Sequence, residues 1–253
     1  MGTVTVDTQD HIMVITIDRP EMRNAIDKST AVSIAAAVDT LEHSDDLSVG
    51  ILTGAGGTFC AGMDLKAFVR GELPSIPGRG FAGLTEHPPT KPFLAAVEGW
   101  ALAGGCELAL SADIVIASTA AKFGLPEVKR GLVAVGGGLL RLPKVLPYSL
   151  AMLTALTGEP ITAAEAERHG LVTVLTEPGQ ALAVAREIAT KIAANGPIAV
   201  RATKHIIARQ SNWTDLAAFE WQREFTAPVR DSADAKEGAL AFAEKRPPRW
   251  RGR

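Results

Sequence analysis

Cysteine is scarce in this chain. Cys60 and Cys106 are the only two, far apart and outside any CxxC arrangement. That excludes a disulfide framework and fits a reducing, cytoplasmic setting. No apolar run is long enough to span a bilayer. The first residues, MGTVTVDTQDH, lack a basic start and an apolar stretch, so no signal peptide is expected, and Val6 breaks the myristoylation pattern. A charge excess is also lacking. The 26 Lys and Arg against 28 Asp and Glu leave a net charge of −2, with no global attraction to nucleic acid or to an anionic membrane. The exception is the end, EKRPPRWRGR. There Lys245, Arg246, Arg249, Arg251 and Arg253 stand against Glu244, a local excess of four. Such a tail is a solvated end or meets a phosphate.

Several chemistries are excluded by what is missing. GAGGTF at 54–59 starts like a dinucleotide loop, but Phe59 stands where the third glycine of GxGxxG belongs. There is no Walker A sequence and no serine in GxSxG. None of His11, His43, His87, His169 and His205 lies in HExxH or within ligand spacing of a cysteine, so no metal site is expected. Backbone amides and carboxylates remain as candidate chemistry.

The 253 residues, 47% hydrophobic, suffice for one large core with a small appendage. TVTVDTQDHIMVITIDRP predicts a hairpin turning near Asp10, and 28–42 a helix with Asp27 as N-cap. A unit then recurs: strand, glycine loop, helix. VGILTG leads to AGMDLKAFV, PFLAAVEG to LAGGCELAL, and DIVIAS with AKFGLPE to GGGLLRLPKVL. This predicts stacked ββα turns with the loops collecting on one side. ITAAEAERHG carries a capping box (Thr162, Glu165) and a Gly170 stop. LVTVL is a last short strand, GQALAVAREIATKIAANG an amphipathic helix, and helices follow over 197–211, 214–226 and 233–245. The chain divides into a core over 1–195 and a helical region over 196–253.

Two glycine loops, FCAGMDL (59–65) and LAGGCEL (102–108), each open a helix. Helix-start N–H groups are unpaired and partly positive, so two such loops side by side can aim two amides at one oxygen. The alternative is that the glycines only make tight turns. Glu107 closes the second loop among apolar residues, and Glu127 follows a short strand in FGLPEVKRG. Carboxylates in apolar surroundings hold protons near neutrality and can divide acid and base work. The alternatives are a dipole-stabilised helix-start carboxylate for Glu107 and a surface ion pair with Lys129 or Arg130 for Glu127.

RPEMRNAID, GTFCAGMDL, PFLAAVEGWALAGGCELALSADIVIAS, AKFGLPEVKRGLVAVGGGLLRL and TGEPITAAEAERHGLV together resemble the crotonase superfamily, the enoyl-CoA hydratases and isomerases, over nearly the whole chain. The resemblance implies an α/β spiral of ββα units with a C-terminal helical oligomerisation region, as a trimer or a dimer of trimers. It implies an acyl-CoA thioester substrate, with coenzyme A part of that substrate and no separate cofactor. The thioester oxygen would accept from the N–H groups of Met63 and Gly104. Ala61 and Met63 to Lys66, that is Met63, Asp64, Leu65 and Lys66, would lie along the CoA, with Arg23 and Ala25 flanking it. Ala103 stands where the family often has glycine, and Ala134 where it usually has proline, near the acyl end. Glu107 and Glu127 match both glutamates of the hydratase pattern, which implies water addition to a 2-enoyl-CoA. A Δ3-Δ2-enoyl-CoA isomerase, a carnitinyl-CoA dehydratase-like enzyme and a non-catalytic acyl-CoA binder are the competing readings. GRGFAGLTEHPPTKP is also similar to the dehydratases. RNA binding is disfavoured by the acidic balance and the lack of a lysine-rich stripe.

Overall fold

The computed structural model describes residues 2–252, with nothing stated of the side chains of residues 215 and 216. Strands β1 (Val4–Gln9) and β2 (Ile12–Ile17) form the expected antiparallel hairpin, its turn at Asp10 and His11. Helix α1 (Lys28–His43) is capped by Asp27, whose carboxylate accepts from the Thr30 amide at 2.8 Å. Then come β3 (Val49–Gly54), α2 (Leu65–Val69), the short pair β4 (Ser75–Ile76) and β5 (Gly80–Phe81), β6 (Phe93–Val97), β7 (Trp100–Leu102) and α3 (Gly104–Ala109). The middle continues through β8 (Ile114–Ser118), β9 (Lys122–Gly124), a 3₁₀ turn at Pro126–Arg130, α4 (Gly138–Val145), α5 (Tyr148–Thr157), β10 (Ile161–Thr162), α6 (Ala163–Arg168) and β11 (Val174–Thr176). Four helices close the chain: α7 (Ala181–Ala193), α8 (Pro197–Arg209), α9 (Asp215–Arg230) and α10 (Ala233–Glu244).

The large sheet runs β1-β2-β3-β6-β8-β11, parallel from β2 onward, and a small sheet runs β10-β9-β7. Each turn of the chain gives one strand to each sheet and then a helix: β6, β7, α3, and next β8, β9, α4. In the preceding turn, single bridges from Cys60 to Ala101 and from Ile26 to Met63 replace the second strand. The α/β reading of stacked ββα turns therefore holds. The Thr162 hydroxyl caps α6 by accepting from the Glu165 amide at 3.2 Å, which is the first half of the expected box.

Because the parallel sheet is covered on both faces, its strands are apolar throughout and period two sorts them. Met13, Ile15, Ile17, Leu52, Phe93, Ala95 and Val97 face one core with α1 and α3. Ile12, Val14, Val49, Ile51, Leu94, Ala96 and Ile116 face a second, covered by Ala181, Ala185 and Ala189 of α7. Alanine at every fourth position puts the small side chains on one helical stripe, so α7 lies close against the sheet. No helix among the described residues is long and apolar enough to cross a membrane.

The basic tail is neither loose nor beside the cavity described below. Arg246 pairs with Glu237 and Glu244, and the amides of Arg251 and Gly252 donate to Asp234 of α10. Trp250 Nε1 donates to the Ala194 carbonyl at 2.8 Å. Acidic groups of α10 thus hold the tail against its own chain. Arg253 lies outside the described residues.

The close fit of α7 predicts that Ala185→Leu, at a wholly buried position, destabilises the protein by about 1–3 kcal/mol through overpacking. That corresponds to a drop in Tm of roughly 2–4 °C per kcal/mol for a chain of this size. An unchanged Tm would mean that the contact has slack.

Candidate active site

The glycine loop before α2 and the one before α3 meet. Gly62 sits at φ +101°, where a side chain is strained, and a Cβ there would stand 2.7 Å from Ala103 Cβ and 3.2 Å from Gly104 N. Sheet bonds place both loops: Leu102 N donates to Cys60 O at 3.0 Å, Ala103 N to Gly124 O at 2.9 Å, and Ile26 N to Gly62 O at 2.8 Å. These leave Met63 N–H and Gly104 N–H without a hydrogen-bond acceptor among the described residues. Unsatisfied amides on two adjoining loops, one of them opening α3, form an anion-seeking pair. The ring of Phe81 lies against Gly104, where a Cβ would stand 2.4 Å from its Cζ. Larger residues at position 104 therefore collide first with Phe81, itself part of the cavity wall.

The loops open into a cavity of about 810 Å³, and every site residue singled out from the sequence lines it. On one side are Arg23, Ala25, Ala61, Met63, Asp64, Leu65 and Lys66, and on the other Gly104, Glu107 and Glu127. The Asp64 carboxylate is already engaged. It caps α2 through the amides of Lys66 and Ala67 and accepts from Arg19 at 3.1 Å. Burial alone raises this carboxyl, but the amides and the guanidinium outweigh it and hold it below its ordinary value. Its part in the site is to shape the 63–66 backbone.

Glu107 is 3% exposed in the first turn of α3. The Gly138 amide donates to its Oε1 at 2.9 Å. Glycine is required along this loop, because a Cβ at Gly136 would come 2.5 Å from Glu107 Oε2 and one at Gly138 would come 3.0 Å from its Cγ. Burial pushes the Glu107 carboxyl up, opposed by the Gly138 and Gly136 amides and by the Arg141 charge. Glu127 is treated differently. Its Oε2 is buried and has no hydrogen-bond partner among the described residues. Lys129, a candidate surface partner, pairs with Glu159 instead. Burial first, and then the Glu107 charge, push Glu127 up to about 7. The arrangement can hold one proton on Glu127 and one negative charge on Glu107 near neutrality.

Some residues of this site carried no signal in the sequence. Asn24, wholly buried, donates to Ala55 O and Thr58 O and so ties the Arg23 turn to the first glycine loop. Phe81 and Arg141 reach the site through long-range packing. The GGG run at 136–138 was the one local hint of a crowded backbone. Ala134, expected at the acyl end, is buried in the core, and its neighbours Val133 and Val135 line the cavity instead. Among the described residues, no group of three or more His, Cys, Asp or Glu could hold a metal ion.

The family whose sequence profile matches residues 7–253 is Enoyl-CoA hydratase/isomerase. The chain is 41% identical to enoyl-CoA hydratase EchA19 of Mycobacterium tuberculosis, over 98% of this chain and 96% of that one. It is 44% identical to a carnitinyl-CoA dehydratase of Salmonella arizonae, over 95% of each. Among solved structures, it is similar to an enoyl-CoA hydratase from Mycobacterium tuberculosis H37Rv, with a TM-score of 0.98 and 55% identity over 100% of both chains. It is also similar to a carnitinyl-CoA hydratase from Mycobacterium avium, with a TM-score of 0.80 and 42% identity over 100% of both.

Ala103 holds φ 51° and ψ −128° at the head of α3, a conformation that suits glycine. Strain there costs about 1–3 kcal/mol, against about 0.4–1 kcal/mol for glycine's extra freedom in the unfolded chain. Ala103→Gly should therefore raise Tm by a few degrees, roughly the effect of 1 kcal/mol. A lower Tm, measured by calorimetry, would show that the methyl contributes packing worth more than the strain.

Proposed function

The chain belongs to the enoyl-CoA hydratase/isomerase family and is an enzyme of the hydro-lyase type, and on that footing we propose that it adds water across the double bond of a trans-2-enoyl-CoA to give a 3-hydroxyacyl-CoA. The observation that carries this reading is the pair of buried glutamates in one cavity, only one of them held by amides. In this reading the thioester oxygen accepts from Met63 N–H and Gly104 N–H, which draws electrons from C3. Glu107 takes a proton from water as its oxygen bonds to C3. The C2–C3 π electrons move onto the thioester as an enolate, and Glu127 delivers its proton to C2. Exchange with solvent returns the proton from Glu107 to Glu127. Each orphan amide is worth about 2.7–4 kcal/mol if it matches other oxyanion donors. An isomerase that moves a proton from C2 to C4 has no use for a second buried carboxyl.

The wall supports an aliphatic acyl group over a cationic one. Leu73, Val133 and Val135 line the cavity, and Val133 and Val135 are 63% and 81% exposed. Burying them against a hydrocarbon chain is favourable, and none of the three offers a charge to a cationic acyl group. The helical region over 196–253 is assigned to subunit contacts in a trimer or a dimer of trimers. Exposed Phe219 and Phe242, 71% and 88% accessible, support that assignment.

Turnover of crotonyl-CoA and longer trans-2-enoyl-CoA esters, followed by loss of the conjugated thioester absorbance, tests the reading. The product should carry solvent oxygen at C3 and one solvent proton at C2. Glu107→Gln and Glu127→Gln should each lower kcat by roughly 10²-fold or more, with little change in ester affinity. Glu127 must be protonated to donate, so kcat/KM should fall as pH rises through about 7. Glu107 must be ionised to accept, so the acidic limb should lie above the ordinary glutamate value of 4.5. Conversion of 3-enoyl to 2-enoyl esters with no hydration would make the enzyme an isomerase. Hydration of crotonobetainyl-CoA alone would place it with the carnitinyl-CoA dehydratases.

A further inference from the structure

Arg141, one turn into α4, has no place in the chemistry above. It is half-buried, and no carboxylate lies within ion-pair distance of it among the described residues. Its contacts are with the backbone of two separate walls. Nη2 donates to the Thr85 carbonyl at 2.6 Å and Nη1 to the Gly136 carbonyl at 3.4 Å. The Nη1 corner of the guanidinium lies against the glycine loop, since a Cβ at Gly137 would come 2.2 Å from Nη1. Each wall carries a functional contact. The Gly136–Gly138 backbone grips Glu107 through the Gly138 amide. On the other wall, the Thr85 hydroxyl accepts from the Phe81 amide at 3.0 Å, and the Phe81 ring packs against Gly104, whose amide is one of the two orphans.

We propose that Arg141 is a positioning residue for the hydration reaction: its fork ties the loop that holds Glu107 to the turn that holds Phe81, so that the Glu107 carboxylate and the Gly104 amide keep one arrangement. The inference rests on the hydratase reading for its kinetic form, but not for its geometry. The guanidinium and Glu107 meet the same loop, since Gly137 faces Arg141 Nη1 and Gly136 faces Glu107 Oε2, so the cation favours the ionised form of Glu107. The other charged groups facing Glu107 do not substitute. Glu127 lines the same cavity and holds the proton of the pair, and Glu86 and Arg130, which also line it, are exposed to water. Arg141 and Glu107 also lie on different elements, α4 and α3, so their relation depends on the fold rather than on helical spacing.

The test uses the full-length enzyme and two variants. Arg141→Gln keeps donors and removes the charge, while Arg141→Lys keeps the charge and removes the planar fork. In Arg141→Gln the acidic limb of kcat/KM should move to higher pH by roughly one unit, as expected for loss of a nearby opposite charge. At a pH below the limb this is about a tenfold loss. In Arg141→Lys the limb should stay within wild-type limits while kcat falls severalfold, because the two walls are no longer clamped. KM should change less than kcat in both. Loss of kcat in Arg141→Gln with the limb unmoved would make Arg141 a structural residue only. A limb displaced equally in Arg141→Lys would overturn the charge role even if Arg141→Gln fails to fold. Difference infrared spectra against Glu107→Gln, recorded in each background, read the Glu107 carboxylate without turnover. They should show the same displacement, and its absence would overturn the proposal. Absence of hydration by the wild type, with the infrared displacement present, would instead count against the hydratase reading alone.

Discussion

Two carboxyl groups share one cavity, and the amides of the 136–138 loop support only one of them. Glu107 receives loop amides and a nearby guanidinium, whereas Glu127 has a buried oxygen with no donor. Two ionised carboxylates in such surroundings repel and are poorly solvated, so one proton stays between them and resides on the less supported group. Much of the architecture serves this asymmetry. The 136–138 loop must be glycine to bring its amides to Glu107, and α3 must start where the small sheet ends in order to point Glu107 inward.

The same stacking explains the two orphan amides. Parallel bridges tie Ile26 to Met63 and Cys60 to Ala101, and these satisfy alternate backbone groups along each loop. Met63 N–H and Gly104 N–H are among those left over where the two loops meet. Ala103, held at a positive φ, pays a local strain so that the chain can leave β7 and enter α3 within one residue. A thioester oxygen placed between these amides would bring its C2 and C3 atoms toward the glutamates, which is the spatial logic behind the hydratase reading.

Much of this was legible in the sequence because it is local. The Asp27 cap, the apolar strands and the glycine-to-helix junctions depend on residues a few positions apart. Both glutamates stood out because each sits among apolar neighbours in its own segment. What was not legible depends on pairs distant in sequence. Arg141 meets Thr85 across 56 positions, and Asn24 meets Thr58 across 34. The Phe81 ring beneath Gly104 belongs to a segment without any periodic pattern. The tail looked free because its partners, Glu237 and Asp234, lie on the preceding helix and anchor it only after the chain doubles back. Lys129 beside Glu127 suggested an ion pair that the fold diverts to Glu159.

The proton on Glu127 is therefore the central claim, and it can be observed directly. ¹³C NMR of protein labelled at the glutamate carboxyl carbons, with Glu127 assigned by its loss in Glu127→Gln, follows that group through a pH titration. The account predicts that Glu127 stays protonated well above the ordinary glutamate range and titrates near 7, while Glu107 ionises at lower pH. A Glu127 resonance that titrates near 4.5 like an exposed glutamate, or one that ionises before Glu107, would contradict it.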